Sequence, residues 1–193
     1  MALKDTIVLI DGGYFSEISK DFGNQKHLKV DILKFSKYLA IKAGYWMDET
    51  YYYTAPPFQG TPPTQEEQKL KAGYDKFVSK LKKQGIIVRE GRVQKIDSNF
   101  CQKGVDTLVV MDLMKIASSK GKKYDTIILL ACDTDFVPII KKLEEEDSIK
   151  LHLYYHTDRI RKSKFSMSNE ILNACKNKTQ LTKEFFTRNL RND

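Results

Sequence analysis

Four aspartates carry the chemistry open to this sequence. Asp11 ends the apolar run Ile7-Val8-Leu9-Ile10, and Asp133 and Asp135 follow a second one, Ile127-Ile128-Leu129-Leu130-Ala131-Cys132. Asp106 stands two residues after Gly104, where a long helix is expected to begin and where the helix dipole favours a carboxylate. Carboxylates crowded without partners repel one another, so their convergence calls for cations, and all-oxygen donors suit the hard ions Mg²⁺ and Mn²⁺. Such an ion acidifies water, orients a phosphodiester and offsets charge on phosphorus and leaving oxygen, with a second ion helping where both bind. The chemistry expected is phosphodiester hydrolysis that needs no side-chain nucleophile.

Each acid also has a plainer reading. Asp11 before Gly12-Gly13 suits a turn, Asp106 a helix cap, and Asp133-Thr134-Asp135 a cap with its neighbour. Asp112, six residues beyond Asp106, is turned well away from the same helix face. It is a second-rank candidate, read as a solvated acid or one that supports the others from behind. Ser16, Thr134 and the cysteines lack the His/Asp arrangement of an activated nucleophile, and Cys132 reads as a small packing residue. His27, His152 and His156 show no zinc-type spacing. They are given no catalytic role, although His156 adjoins a basic loop and is in reach of phosphate.

These acids need elements to position them. The run Ile7 to Ile10 reads as a strand. A helix begins at Asp31, with Ile32, Phe35 and Leu39 at helical spacing and Gly44 as its stop. Glu49 to Thr54 reads as a strand running into an exposed Pro/Gly loop. Thr64 caps the next helix with Glu67 three residues on, and Leu70, Tyr74, Phe77, Val78 and Leu81 form its apolar stripe. Ile86 to Arg89 reads as a third strand, which Arg92 to Ile96 extends or pairs with before a polar stretch to Lys103. Val105 to Ser119 suits a largely buried helix, and the unbroken strand Thr126 to Leu130 suits a parallel sheet covered on both faces. A helix at Phe136 to Glu145, a strand at Lys150 to Tyr155, a basic loop and a helix at Asn169 to Lys176 complete the pattern. The alternation predicts an α/β fold with a mainly parallel central sheet, helices on both faces and right-handed crossovers. In open sheets of this kind sites form at the carboxyl edge, where these acids fall.

A chain of 193 residues, 41% hydrophobic and 30% charged, fits a single globular domain, read as residues 1–178, with 179–193 a polar tail holding a short helix. No apolar run approaches the roughly 20 residues of a membrane helix, and the N-terminal run ends in an acid rather than a cleavage site, so no membrane partner is expected. Three widely spaced cysteines, Cys101, Cys132 and Cys175, make no disulfide framework and suit a reducing cytoplasm. A formal charge of +8 favours phosphate-bearing partners, and assembly into a homo-oligomer stays open.

Three motifs taken in order resemble the NYN family of the PIN-like nuclease superfamily, in its LabA-like branch. They are Ile10-Asp11-Gly12-Gly13-Tyr14-Phe15, Lys103-Gly104-Val105-Asp106 with Asp112 behind it, and Cys132-Asp133-Thr134-Asp135-Phe136-Val137-Pro138. The resemblance implies a single PIN-like (Rossmann-like) domain and a Mg²⁺- or Mn²⁺-dependent endoribonuclease whose metal-binding carboxylates are Asp11, Asp106, Asp133 and Asp135. The family often has Ser-Gly-Asp-Gly-Asp-Phe where this chain has Ala131 to Phe136, and an Asn near the position of Tyr14. Neither departure removes a carboxylate.

The expected partner is RNA, single-stranded. Arg159, Arg161, Lys162 and Lys164 cluster after a strand, and Lys103 precedes Asp106, so these cations are candidates for its phosphates. Tyr14, Phe15, Tyr154 and Tyr155 are candidates for stacking on bases, with Phe15 and one of the paired tyrosines better read as core. Two rival readings stand beside the nuclease. One is a haloacid-dehalogenase-type phosphatase, which Asp133-Thr134-Asp135 after an apolar strand imitates. The other is a non-catalytic RNA-binding or regulatory module on the same fold.

Overall fold

The architecture follows from which strands are apolar on both faces. In the computed structural model, which describes residues 4–97, 99–118, 124–146, 149–157 and 168–191, the first strand β1 (Lys4–Asp11) holds Ile7, Val8, Leu9 and Ile10 with no exposed surface. It is flanked by β2 (Tyr45–Thr54) and β6 (Thr126–Leu130), the latter equally buried along its length. Outside them lie β3 (Ile87–Glu90), β7 (Lys150–Tyr155) and β8 (Asn177–Gln180), giving a six-stranded sheet in the order β3-β2-β1-β6-β7-β8. Every pairing in it is parallel. A strand with covered faces on both sides loses nothing by being apolar at every position, which is why these runs do not alternate.

Helices cover the two faces as two groups. On one side α1 (Gly12–Phe22), α2 (Ile32–Ala43) and α7 (Lys183–Thr187) pack together, and on the other α4 (Val105–Ser118), α5 (Val137–Glu146) and α6 (Asn169–Ala174) do. Neighbouring residues of β2 show the division, since strand side chains alternate between faces. The Tyr52 ring meets Phe15 of α1 and Phe77 of α3 (Gln65–Lys83), whereas the Tyr53 hydroxyl reaches α4. On the α1 side Phe15, Phe35 and Phe186 form a closed triad with ring centroids 5.1–5.3 Å apart. No helix among the described residues is long and apolar enough to cross a membrane.

Local signals held where side chains cap helices. Asp31 caps α2, Gly44 ends it in a left-handed conformation with φ 87°, and Thr64 with Glu67 forms a complete capping box on α3. Other readings need correction. The segment after Asp11 is a helix from Gly12 onward, where the glycine pair had suggested a turn. Gly12 is held by packing: a Cβ there would lie 2.6 Å from the Tyr53 carbonyl. Arg92–Ile96 neither extends nor pairs with β3; as β4 it pairs antiparallel with β5 (Asn99–Lys103), a strand its polarity had hidden. The α4 helix is less buried than its composition suggested, with Met111 57% and Met114 38% exposed, and Leu70 of α3 is also exposed. The stretch 179–193 does contain a short helix, but it also completes the domain. It carries the end of β8, the buried Leu181 and Phe186, and a bridge from Leu190 to Val30.

Candidate active site

The strand order reverses between β1 and β6, because successive strands are added outward from β1 on one side and from β6 on the other. Crevices for ligands open at the carboxyl ends of such a pair. Asp11 is the last residue of β1, and Asp133 follows β6 by three residues, so both lie at that crevice.

Local structure fixes each acid separately. Asp11 is the N-cap of α1, its Oδ1 accepting hydrogen bonds from the Gly13 N–H at 2.8 Å and the Tyr14 N–H at 3.3 Å. Asp133 caps the 3₁₀ turn Thr134–Phe136 by accepting from the Asp135 N–H at 2.9 Å. Asp106 sits exposed in the first turn of α4, directly after Gly104, whose φ of 81° turns the chain out of β5 into the helix. Asp133 takes the capping role expected of it, Asp11 caps a helix where a turn was expected, and Asp106 lies inside the first turn rather than at the cap; Asp11 and Asp133 keep carboxylate oxygens over.

The structure brings these acids within electrostatic reach of one another. Burial is the main force pushing the Asp11 carboxyl up to about 6, against its two backbone hydrogen bonds, and the charges of Asp106 and Asp133 add to the rise. Burial first, then Asp133 and Asp135, push Asp106 in the same direction. The Cys132 thiol, between strand and turn, is driven up by burial and then by Asp11, Asp133 and Asp106, which removes it as a nucleophile near neutral pH. None of the ion pairs among the described residues involves any of the four aspartates.

The model of the NYN domain matches residues 5–181. The chain belongs to the NYN domain family. Its fold is thus the PIN-like nuclease fold of that family. The same architecture recurs in the crystal structure of a protein of unknown function from Vibrio parahaemolyticus, with a TM-score of 0.62 over 95% of this chain and 96% of that one. At 13% identity the likeness concerns the fold alone. No curated protein matches the chain.

In this NYN domain the donor set suits a hard divalent ion, being all carboxylate, partly desolvated and, among the described residues, without an ion-paired cation to neutralise it. The carboxylates are nevertheless not drawn together into a ready cage: among the described residues no three Asp, Glu, His or Cys side chains form a group able to hold an ion. Mutual repulsion and the capping bonds of Asp11 and Asp133 account for that spacing.

Other candidates of the NYN domain separate clearly. Asp112 is not a solvated acid: it is 6% exposed and is bonded by the Tyr53 hydroxyl at 3.0 Å and by Arg89 Nε and Nη2 at 2.9 and 3.2 Å. Tyr14 is corrected as a stacking residue. Its ring is 3% exposed, and its hydroxyl accepts from the His156 N–H at 2.7 Å. Phe15 and Tyr154 are likewise core, and His156 is buried against Asp21 rather than turned to a phosphate. Lys103 is exposed at the end of β5, opposite Arg92. Arg159, Arg161, Lys162 and Lys164 fall outside the described residues. Sequence reasoning overlooked the β4–β5 hairpin that leads into Asp106. Its signal was the two-residue spacing between Ile96 and Asn99, where Asp97 takes φ 53° as short hairpin loops require.

Proposed function

We propose that this NYN domain is a metal-dependent endoribonuclease of the cytoplasm, hydrolysing phosphodiesters of single-stranded RNA with Asp11, Asp106, Asp133 and Asp135 holding Mg²⁺ or Mn²⁺. The observation that carries the reading is a set of four carboxylates at the sheet's switch point whose charges help push the Asp11 and Asp106 carboxyls up, with no ion pair to any of the four among the described residues. When bound, the ion supplies Lewis acidity for the attacking water and for the phosphate. The chain's own part is positional. The N-terminus of α1 fixes Asp11, the 3₁₀ turn fixes Asp133 beside Asp135, and Gly104 directs Asp106 toward them. Lys103 at that entrance meets substrate charge.

A second reading, an RNA-binding module without turnover, draws support from the lack of a preassembled three-acid group among the described residues. One experiment separates them: cleavage of a labelled single-stranded RNA by wild type and Asp133→Asn, in Mn²⁺ and in excess chelator. The nuclease reading expects internal cleavage by wild type in Mn²⁺ alone. Equal cleavage by Asp133→Asn, or activity that survives the chelator, would overturn it, and RNA binding without cleavage would leave the module.

A further inference from the structure

The β4–β5 hairpin has no part in the main sheet, yet one of its faces is continuous with the aspartate crevice. In an antiparallel pair, directly opposed residues and alternate residues of each strand share a face. Val93 opposes Gln102 and Lys95 opposes Phe100, so these four line one side. Gln102 locates that side: a Cβ built on Gly13 would lie 3.2 Å from Asp11 Oδ1 and 3.8 Å from Gln102 Oε1. Phe100, two residues along the strand, is then roughly 7 Å further from the acids on the same surface.

That surface is dressed for a polyanion with flat, apolar groups. Phe100 is 59% exposed, and its ring lies 5.4 Å from that of Phe58, a half-buried residue of the loop before α3. The Lys95 ammonium stands 5.9 Å from the Phe100 ring centroid. Lys95 is the cation of this face, within electrostatic reach of Glu67 at the start of α3, while Arg92 and Lys103, opposed to each other, lie on the hairpin's other face. Aromatic rings interleaved with cations suit unpaired bases and their phosphates, because every base has a face to stack and the phosphates follow alongside. A base-paired duplex hides those faces.

Resting on the nuclease reading for its choice of ligand, we infer that the hairpin face bearing Lys95 and Phe100, with Phe58 behind it, is the platform that takes unpaired bases of an RNA strand and leads the strand into the aspartate crevice.

The test is binding of a fluorescent 12-nucleotide oligouridylate by the full chain in excess chelator, where no metal-dependent cleavage intervenes, followed by cleavage in Mn²⁺. Phe100→Ala is expected to weaken single-strand binding about tenfold, the scale of one base–aromatic stack. Phe100→Trp is expected to restore it and Phe100→Leu not to, which separates a stacking face from mere packing. Lys95→Ala is expected to flatten the salt dependence of binding by about 0.7 in the log–log slope. Trp46→Ala, an equally exposed ring on β2 remote from the hairpin, is expected to change nothing. Affinity unaffected by Phe100→Ala, or full rescue by leucine, would overturn the platform, as would a wild type that binds the oligonucleotide no better than a fully paired duplex. If the Phe100 series behaves as expected but Mn²⁺ brings no cleavage, the platform stands and the nuclease reading falls.

Discussion

Two carboxylates six residues apart on one helix meet opposite conditions. Asp112 is buried in the middle of α4, but Arg89 of β3 and Tyr53 of β2 fill its oxygens, so its charge is answered from within the chain. Asp106, in the first turn, is exposed, and the groups that act on it are Asp133 and Asp135, which share its sign. The contrast separates two uses of a negative charge. A buried acid with a built-in cation ties three elements together, and its charge is already met. An acid surrounded by other acids is a cost to the fold unless something from outside neutralises it.

Exchanging the roles is the strongest way to break this comparison. Asp106→Asn is expected to lower RNA cleavage by about a hundredfold or more, in line with losses seen when metal-site groups are changed, while the denaturant midpoint moves little. Asp112→Ala is expected to do the reverse in stability. It strands the buried Tyr53 hydroxyl and leaves the partly exposed Arg89 guanidinium to be met by water, a loss of about 2 kcal/mol. Urea unfolding of both variants beside a cleavage assay reads both axes. If Asp106→Asn unfolds as easily as Asp112→Ala, the division between a structural and an available acid is wrong.

A smaller effect sharpens the point at Asp11. Asparagine keeps an oxygen that can accept from the Gly13 and Tyr14 N–H groups, while removing a charge that burial and two neighbouring acids oppose. At pH 7 in chelator Asp11→Asn is expected to be more stable than wild type by about 1 kcal/mol, a gain of the size found when functional strain is relieved. Millimolar Mn²⁺ should then raise the wild-type melting temperature, through binding to the folded state alone, and leave the variant unmoved. Thermal scans with and without the ion decide this. A destabilised Asp11→Asn would mean that the cap bonds outweigh the repulsion.

The comparison also shows what a single sequence discloses. Asp11, Asp133 and Asp135 were legible because each follows an apolar strand, and a strand's carboxyl end fixes a place in space as well as in sequence. The parallel sheet was legible for the same reason: runs such as Ile127 to Leu130 are apolar at every position. That Asp112 is buried rather than solvated was not legible, because its partners come from β2 and β3 and no local pattern announces a cation 23 residues away. The α1 helix was missed because Gly12 and Gly13 weaken helical propensity, although Asp11 caps them into a helix and the Tyr53 carbonyl leaves no room for a side chain. β8 and β5 are short and polar, so their strand character comes from the neighbour that they pair with rather than from their own residues.

His152 supplies the smallest test, that of a titratable group buried beside a neutral partner. It lies in β7 with Nε2 2.8 Å from Thr179 Oγ1 of β8, and burial alone lowers its pKa from the ordinary 6.5. The sign follows from proton uptake. Below pH 6.5 the unfolded chain binds a proton that the folded chain resists, so the contribution of His152 to stability is complete above 6.5 and declines as the pH falls toward the lowered folded value. The decline is expected to be small, since the side chain is only partly buried. His152→Gln, which can still bond Thr179 without titrating, should flatten the pH dependence of the urea midpoint between pH 7 and 5.5. A steeper slope in the variant would mean that a negative group stabilises the protonated ring. His152 would then belong with Asp112, as a charge answered from within.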